Sequence, residues 1–222
     1  KMITAFIGIK EISERVKDKN FLEVGGKPLY FWIINTLTNT KEVDEIVLNI
    51  DGKNLIQMIN KEFKENKKLK IIEREEKIKG HDVSMNTIID NSLDHCKNNS
   101  ILNTHTTNPF VKSGTLSQAI KLHYKNEDPI FSVVELKNRF YNKLNIPINH
   151  DIEDLIPTQN LEPLYLETST FYIFSKEQFN LNNNRLLKDS KRFIISKIES
   201  IDIDDYEDLE IVRSLEDKLH RG

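Results

Sequence analysis

One cysteine, Cys96, is all the thiol chemistry this chain possesses, so no internal disulfide can staple it. That usage fits a reducing compartment, and a cytoplasmic protein is the expectation. Cys96 falls in "SMNTIIDNSLDHCKNN", a stretch with helical periodicity, where it reads as a half-buried small residue rather than a nucleophile. No apolar run approaches the ~20 residues that a membrane span needs. The opening "MITAFIGI" is too short and too soon interrupted for a secretory signal, so no membrane association is expected. Excess charge is missing as well. Lys and Arg total 32 against 35 Asp and Glu, a net charge of -3, which gives no bulk attraction to nucleic acid and leaves room only for local basic patches. Glycine is scarce, and neither G-x-x-x-x-G-K-[ST] nor G-x-G-x-x-G occurs, which excludes the two best-known glycine cradles for phosphate.

What is present is alternation. "MITAFIGI", "DEIVLNI", "LKIIER", "SILNTH", "PIFSVVEL" and "STFYIF" are short runs rich in β-branched and apolar residues and read as buried strands. Between them, "KPLYFWIINTLT", "KNLIQMINKEFKEN", "SMNTIIDNSLDHC" and "SGTLSQAIKLHYKN" carry apolar residues at helical spacing, with Pro28 at a first-turn position. Strands alternating with helices predict an α/β domain with a mostly parallel sheet. The 222 residues suffice for one such domain. Residues 137–166 hold three prolines and little periodicity, and read as an inserted lobe or dimer arm. "SIDIDDYEDLEIVRSLEDKL" reads as a closing strand and helix, and the Asn-rich "NLNNNR" ending at Arg185 as a loop or surface segment.

Ligands of such sheets bind beyond the carboxyl ends of the strands. Four polar stretches collect there. The first is the loop after "MITAFIGI", with Lys10, Ser13, Arg15, Lys19 and Asn20. Its cations and backbone N–H groups suit a triphosphate, although taken alone the loop reads as solvated surface first. The second is "IDIDD". On a strand Asp202 and Asp204 share one face, where they suit a hard cation such as Mg²⁺; the same pair also reads as a solvated strand end. The third is "NTHTTNPF", with His105, Thr107 and Asn108 able to hydrogen-bond a sugar or base. The fourth is "EREEKIKGHDVSM", where Arg74 and Ser84 flank a nucleotide or Ser84 caps the next helix.

Together these stretches resemble the acylneuraminate cytidylyltransferase family, the CMP-sialic acid synthetases. "IGIKEISERVKDKN" followed by "GGKPL" lies in register with that family's P-A-R-x-G-S-K-x-x-x-x-K-N and G-K-P-L. Lys10 takes the place of the arginine, Ser13 matches the serine, and Lys19 and Asn20 match K-N. Glu14 stands where a lysine is usual. "REEKIKGHDVS" echoes the family's R-x-x-x-L-x-x-D-x-x-S through Arg74, Asp82 and Ser84. "HTTNP" echoes Q-P-T-S-P, with His105 in the glutamine's place, and Asp202, Asp204 and Asp208 match D-I-D-T-x-x-D. "LETSTFYIF" replaces N-G-x-x-Y-I.

The resemblance implies a Rossmann-like, three-layer nucleotidyltransferase fold. It implies a reaction in which the anomeric hydroxyl of an acidic, sialic-acid-like sugar attacks the α-phosphorus of CTP and expels pyrophosphate. Lys10, Arg15 and Asn20 would be the catalytic set. Gly8, Lys10, Ser13, Arg15, Lys19, Asn20, Arg74 and Ser84 would hold the nucleotide. His105, Thr107, Asn108 and Glu167 would meet the sugar, and Asp202 and Asp204 would hold Mg²⁺. A homodimer is implied too, with residues 137–166 reaching a partner's sugar pocket. Two other readings stand beside this one: a nucleotide-binding or scaffold protein of the same fold that has lost catalysis, and a cytidylyltransferase with a different acceptor.

Overall fold

The structure is a computed structural model and describes residues 1–80 and 82–219. In chain order the strands and helices are β1 (Ile3–Lys10), β2 (Glu23–Val24), β3 (Lys27–Pro28), α1 (Leu29–Thr38), β4 (Val43–Asp51), α2 (Lys53–Glu62), β5 (Leu69–Glu73), α3 (Met85–Ser92), β6 (Ser100–Thr104), α4 (Ser113–Asn126), β7 (Ile130–Leu136), β8 (Leu164–Ser175), α5 (Lys176–Asn182), β9 (Lys191–Ile194) and α6 (Tyr206–Ser214). Short 3₁₀ turns lie between some of them.

The seven-stranded sheet has the order β5-β4-β1-β6-β8-β7-β9. β5, β4, β1 and β6 pair in parallel, as do β7 and β9. β8 runs antiparallel to both of its neighbours. β1 lies near the centre and is covered on both faces, which explains a run without polar alternation. Ile3, Ala5, Ile7 and Ile9 enter one core with Ile33 and Leu37 of α1, Leu55 and Ile59 of α2, and Leu116 and Ile120 of α4. Phe6 enters a core on the other face with Ile88 and Ile89 of α3 and Phe179 that follows β8. These layers make the three-layer α/β architecture that alternating strands and helices predict.

A third apolar cluster sits beyond the carboxyl end of β1. It unites Val16, Val24, Leu29, Trp32, Phe110, Ile203, Leu209 and Val212. Val16 is fully buried there, between the exposed Arg15 and Lys17. The basic loop is therefore anchored by one apolar side chain and not left free in solvent. Ile203 belongs to the same cluster and anchors the segment that carries Asp202 and Asp204.

Three expectations are corrected. Residues 201–204 form no strand. Their backbone groups are met individually: Ile203 N donates to Thr107 O at 3.0 Å, and Asn108 Nδ2 donates to Ile201 O at 3.2 Å. "NLNNNR" is surface over residues 180–184, as expected, but it is not purely a loop, because α5 extends to Asn182, and the side chain of Arg185 turns inward. β8 begins at Leu164, so the excursion between β7 and β8 covers 137–163 and the end of the expected lobe is already sheet. That excursion holds one isolated bridge, Tyr141 to Pro147, and a 3₁₀ turn at Thr158–Asn160. No helix among the described residues is long and apolar enough to cross a membrane.

Candidate active site

The carboxyl ends of β4, β1 and β6 lie side by side, and the sequence-predicted residues distribute across them in that order. Over β4 and β1 sits Arg74, just past β5. Its guanidinium is buried, not exposed: Nε donates to Asn49 Oδ1 at 2.8 Å, and Nη2 donates to the carbonyls of Asn49 and Ile9 at 2.9 and 3.1 Å. Arg74 thus ties two strand ends together. Its Nη1 is buried without a hydrogen-bond partner and lies 3.9 Å from Asp51. Ser84 caps α3, accepting from Thr87 N at 3.2 Å, while remaining exposed. Gly8 is a close-approach position, since a Cβ there would stand 3.2 Å from Met85 Sδ.

The loop after β1 opens a cleft of about 260 Å³ lined by Lys10, Ile12, Ser13, Glu14, Arg15 and Lys19. Lys10 Nζ donates to Gly80 O at 2.8 Å across the mouth of this region. Asn20 is buried; its Nδ2 donates to Lys10 O at 2.8 Å and its Oδ1 has no partner. Asn20 therefore fixes the backbone where the loop leaves the strand. A larger hollow of about 530 Å³ opens at the opposite end of the strands, beside Met2, Ser100 and Ser175, and none of these groups lines it.

Opposite the loop stand the carboxylates. Arg15 Nη2 lies 2.8 Å from Asp204 Oδ1. Lys19 Nζ donates to Ile203 O, between the two aspartates. Burial lowers the Lys19 pKa, and the charges of Asp202 and Asp204 oppose that fall. Burial raises the pKa of Asp202, with the Asp204 charge adding to the rise and Thr107 and Lys19 acting against it. Asp202 Oδ1 is buried without a hydrogen-bond partner. Asp208, the third acid of the motif, instead accepts from the backbone N–H of Asp204 and Asp205 at 2.8 and 3.0 Å and closes the capping box of α6. An orphaned carboxylate oxygen beside a second carboxylate is the donor chemistry that a hard divalent cation takes, usually with phosphate oxygens and water completing its shell.

Beyond β6 comes the third group. His105 Nε2 accepts from Arg185 Nη1 at 3.1 Å, and the same Nη1 donates to Asn103 Oδ1 at 2.6 Å. Burial, reinforced by the Arg185 charge, lowers the His105 pKa to about 3, so the ring is neutral at neutral pH. Tyr172 lies under the guanidinium, 4.1 Å from its ring centroid, and its hydroxyl donates to Glu167. Asn108 is buried with Oδ1 unpartnered. The structure thus brings His105 and Glu167 into one constellation and puts Thr107 and Asn108 at its border with the aspartates. Arg185 is the member that the sequence did not disclose. Its only signal was a single cation closing an Asn-rich run.

Residues 12–218 match the family described as Cytidylyltransferase, and the chain belongs to that family. It is similar to the pseudaminic acid cytidylyltransferase of Campylobacter jejuni, with 24% identity over 216 residues and 91% of each chain covered. Among solved structures it resembles 4-diphosphocytidyl-2C-methyl-D-erythritol synthase from Anaerococcus prevotii, at TM-score 0.68 and 15% identity over 97% of this chain and 96% of the other. A CMP:2-keto-3-deoxy-manno-octonic acid synthetase complexed with CTP aligns at TM-score 0.67 and 12% identity, over 97% of this chain and 98% of that one.

Proposed function

We propose that this member of the cytidylyltransferase family transfers CMP from CTP to an acidic sugar of the nonulosonate type and releases pyrophosphate. The observation that carries the reading is the meeting of loop cations with paired carboxylates: Arg15 against Asp204, and Lys19 between Asp202 and Asp204, at the carboxyl ends of the parallel strands. The Campylobacter relative, similar over nearly its whole length, supports an acidic sugar as acceptor.

In this reading the acceptor hydroxyl oxygen forms a bond to the α-phosphorus, and the bond from that phosphorus to the pyrophosphate oxygen breaks. The hydroxyl proton is lost to solvent or to a carboxylate nearby. The chain supplies alignment and charge more than covalent chemistry. Lys10, Arg15 and Lys19 balance the phosphate charge, with Ser13 beside them. Asn20 holds the loop at its exit from β1. Arg74, buried and beside Asp51, keeps the β4 and β1 ends in place beneath the nucleotide, and Ser84 flanks it. Asp202 and Asp204 would hold Mg²⁺, which when bound supplies charge neutralisation to the phosphate oxygens. His105, Thr107, Asn108 and Glu167 lie where the acceptor would enter. The enzyme acts as a homodimer, residues 137–163 reaching toward the partner.

The test is pyrophosphate release from purified protein with each of four nucleoside triphosphates, crossed with pseudaminic acid, N-acetylneuraminic acid and 2-keto-3-deoxy-manno-octonic acid. Release only with CTP and at least one sugar acid is expected. No release in any combination, with CTP binding retained, would favour a nucleotide-binding protein without catalysis.

A further inference from the structure

Asn103 and Tyr172 are directly paired residues of the antiparallel β6–β8 ladder, so their side chains leave the sheet on one face. Arg185 lies over both. Its Nη1 is committed to Asn103 Oδ1 and His105 Nε2, and its plane rests on the Tyr172 ring. The loop carrying it is fastened to α3: Arg185 N donates to Asn86 Oδ1 at 3.3 Å, and Asn86 Nδ2 donates to Asn184 Oδ1 at 3.1 Å. Both acceptors on Nη1 are neutral groups. Among the described residues no carboxylate lies within 4.0 Å of the guanidinium. Glu167, the nearest acid in the constellation, accepts from the Tyr172 hydroxyl and its charge favours the guanidinium only from beyond ion-pair distance, which leaves the fork itself without a carboxylate partner.

A half-buried cation held rigidly by neutral partners is expensive unless an anion completes it. Arginine offers a planar fork that fits a carboxylate with two parallel hydrogen bonds. The first half of β8 runs on past the end of β6 and pairs only with β7 there, and it carries Glu167, which accepts from the hydroxyl of the Tyr172 ring beneath this cation. On its near side, Thr107 leads to Asp202 and Ile203. The cation therefore stands on the acceptor side of the carboxylate pair, away from the loop cations over β1.

Resting on the proposed reaction, we infer that Arg185 is a specificity-determining residue: it receives the carboxylate of the sugar acid, with Asn103, His105 and Tyr172 as its positioning residues. A carboxylate beside the anomeric carbon would then be fixed while the anomeric hydroxyl faces the α-phosphorus. An acceptor without the acid would leave Arg185 uncompensated.

The experiment uses whichever sugar acid supports pyrophosphate release, together with its carboxamide. Calorimetry measures CTP binding, then sugar binding in the presence of a non-hydrolysable CTP analogue, for the parent, Arg185→Ala and Arg185→Lys. For the parent, the acid should bind about ten- to a hundredfold more tightly than the carboxamide, the usual weight of a charge-assisted contact. Arg185→Ala should lose that preference while CTP binding stays unchanged, and Arg185→Lys should recover part of it. Unchanged discrimination in Arg185→Ala, with CTP still bound, would overturn the assignment. If Arg185→Ala fails to fold, the lysine variant decides, because a merely structural pin would leave the acid-to-carboxamide ratio at the parent value. A parent that binds CTP and releases pyrophosphate with no sugar acid would instead sink the reaction on which this inference stands.

Discussion

Arg15 Nη2 stands 2.8 Å from Asp204 Oδ1, so a cation of the basic loop after β1 and a carboxylate of the facing segment hold each other across the mouth of the candidate site. Both side chains are largely exposed, and such a pair contributes little to stability. Its significance is positional: the groups that would receive triphosphate and metal already face one another.

The loop should behave as a specific grip. Lys10→Ala and Arg15→Ala are each expected to weaken CTP binding about ten- to a hundredfold, because charge-assisted contacts are worth roughly 1.5–3 kcal/mol. Lys17→Ala should be nearly silent, since Lys17 is exposed and only its backbone N–H is engaged, with Tyr206. Calorimetric titrations at low and high salt check this. Three equal losses that salt erases would indicate a diffuse basic surface.

Asp202→Asn and Asp204→Asn should each abolish turnover while the thermal midpoint stays close to the parent's. Asp202 in particular carries a buried oxygen without a partner, and amide replacement removes the charge that a cation needs. Parent-like turnover of both variants at limiting Mg²⁺ would show that these carboxylates hold no metal.

The excursion of residues 137–163 leaves Tyr141, Leu144, Ile146, Ile148, Ile152 and Leu155 at least half exposed. Apolar exposure concentrated on one segment marks an interaction surface. A dimer is expected in sedimentation at assay concentration, and Ile146→Asp combined with Leu155→Asp should convert it to monomer. A parent that sediments strictly as monomer would refute the arm assignment.

His105 should make the fold sensitive to mild acid. Its folded pKa of about 3 lies below the ordinary value of 6.5, so between those limits the unfolded chain binds the proton and the folded chain does not. Stability from this group is present above pH 6.5 and falls as pH drops toward 3. The loss from pH 6.5 to 5 is at most about 2 kcal/mol. His105→Gln keeps an acceptor for Arg185 and removes the titration. The difference in unfolding free energy between parent and variant should therefore change between those two pH values; a constant difference would show that His105 titrates normally.

The sheet was legible because its strands are buried on both faces and advertise themselves as apolar runs, as "ITAFIGI" does. β9 escaped notice for the opposite reason: "KRFI" is a short edge strand, largely exposed, with two cations. Ile201–Asp204 misled in another way. Alternation of Ile and Asp signals a strand, but here the alternation serves one buried isoleucine, and side chains from elsewhere satisfy the backbone. The candidate site's grouping was legible where residues cluster in sequence, in the loop and the aspartate segment, which the fold brings together. Arg185 was not, because its partners Asn103, His105 and Tyr172 are brought to it only by the β6–β8 pairing.

β8 enters the sheet against the grain, and the whole excursion of 137–163 hangs from the paired ends of β7 and β8. Its roots are fixed by a ladder while its interior touches neither the basic loop nor the aspartates through any hydrogen bond or ion pair among the described residues. Insertions, deletions or replacement within that stretch would leave the pairing of the basic loop with the aspartate segment intact. The architecture keeps the paired charges at the strand ends separable from the excursion, so one can be rebuilt without disturbing the other.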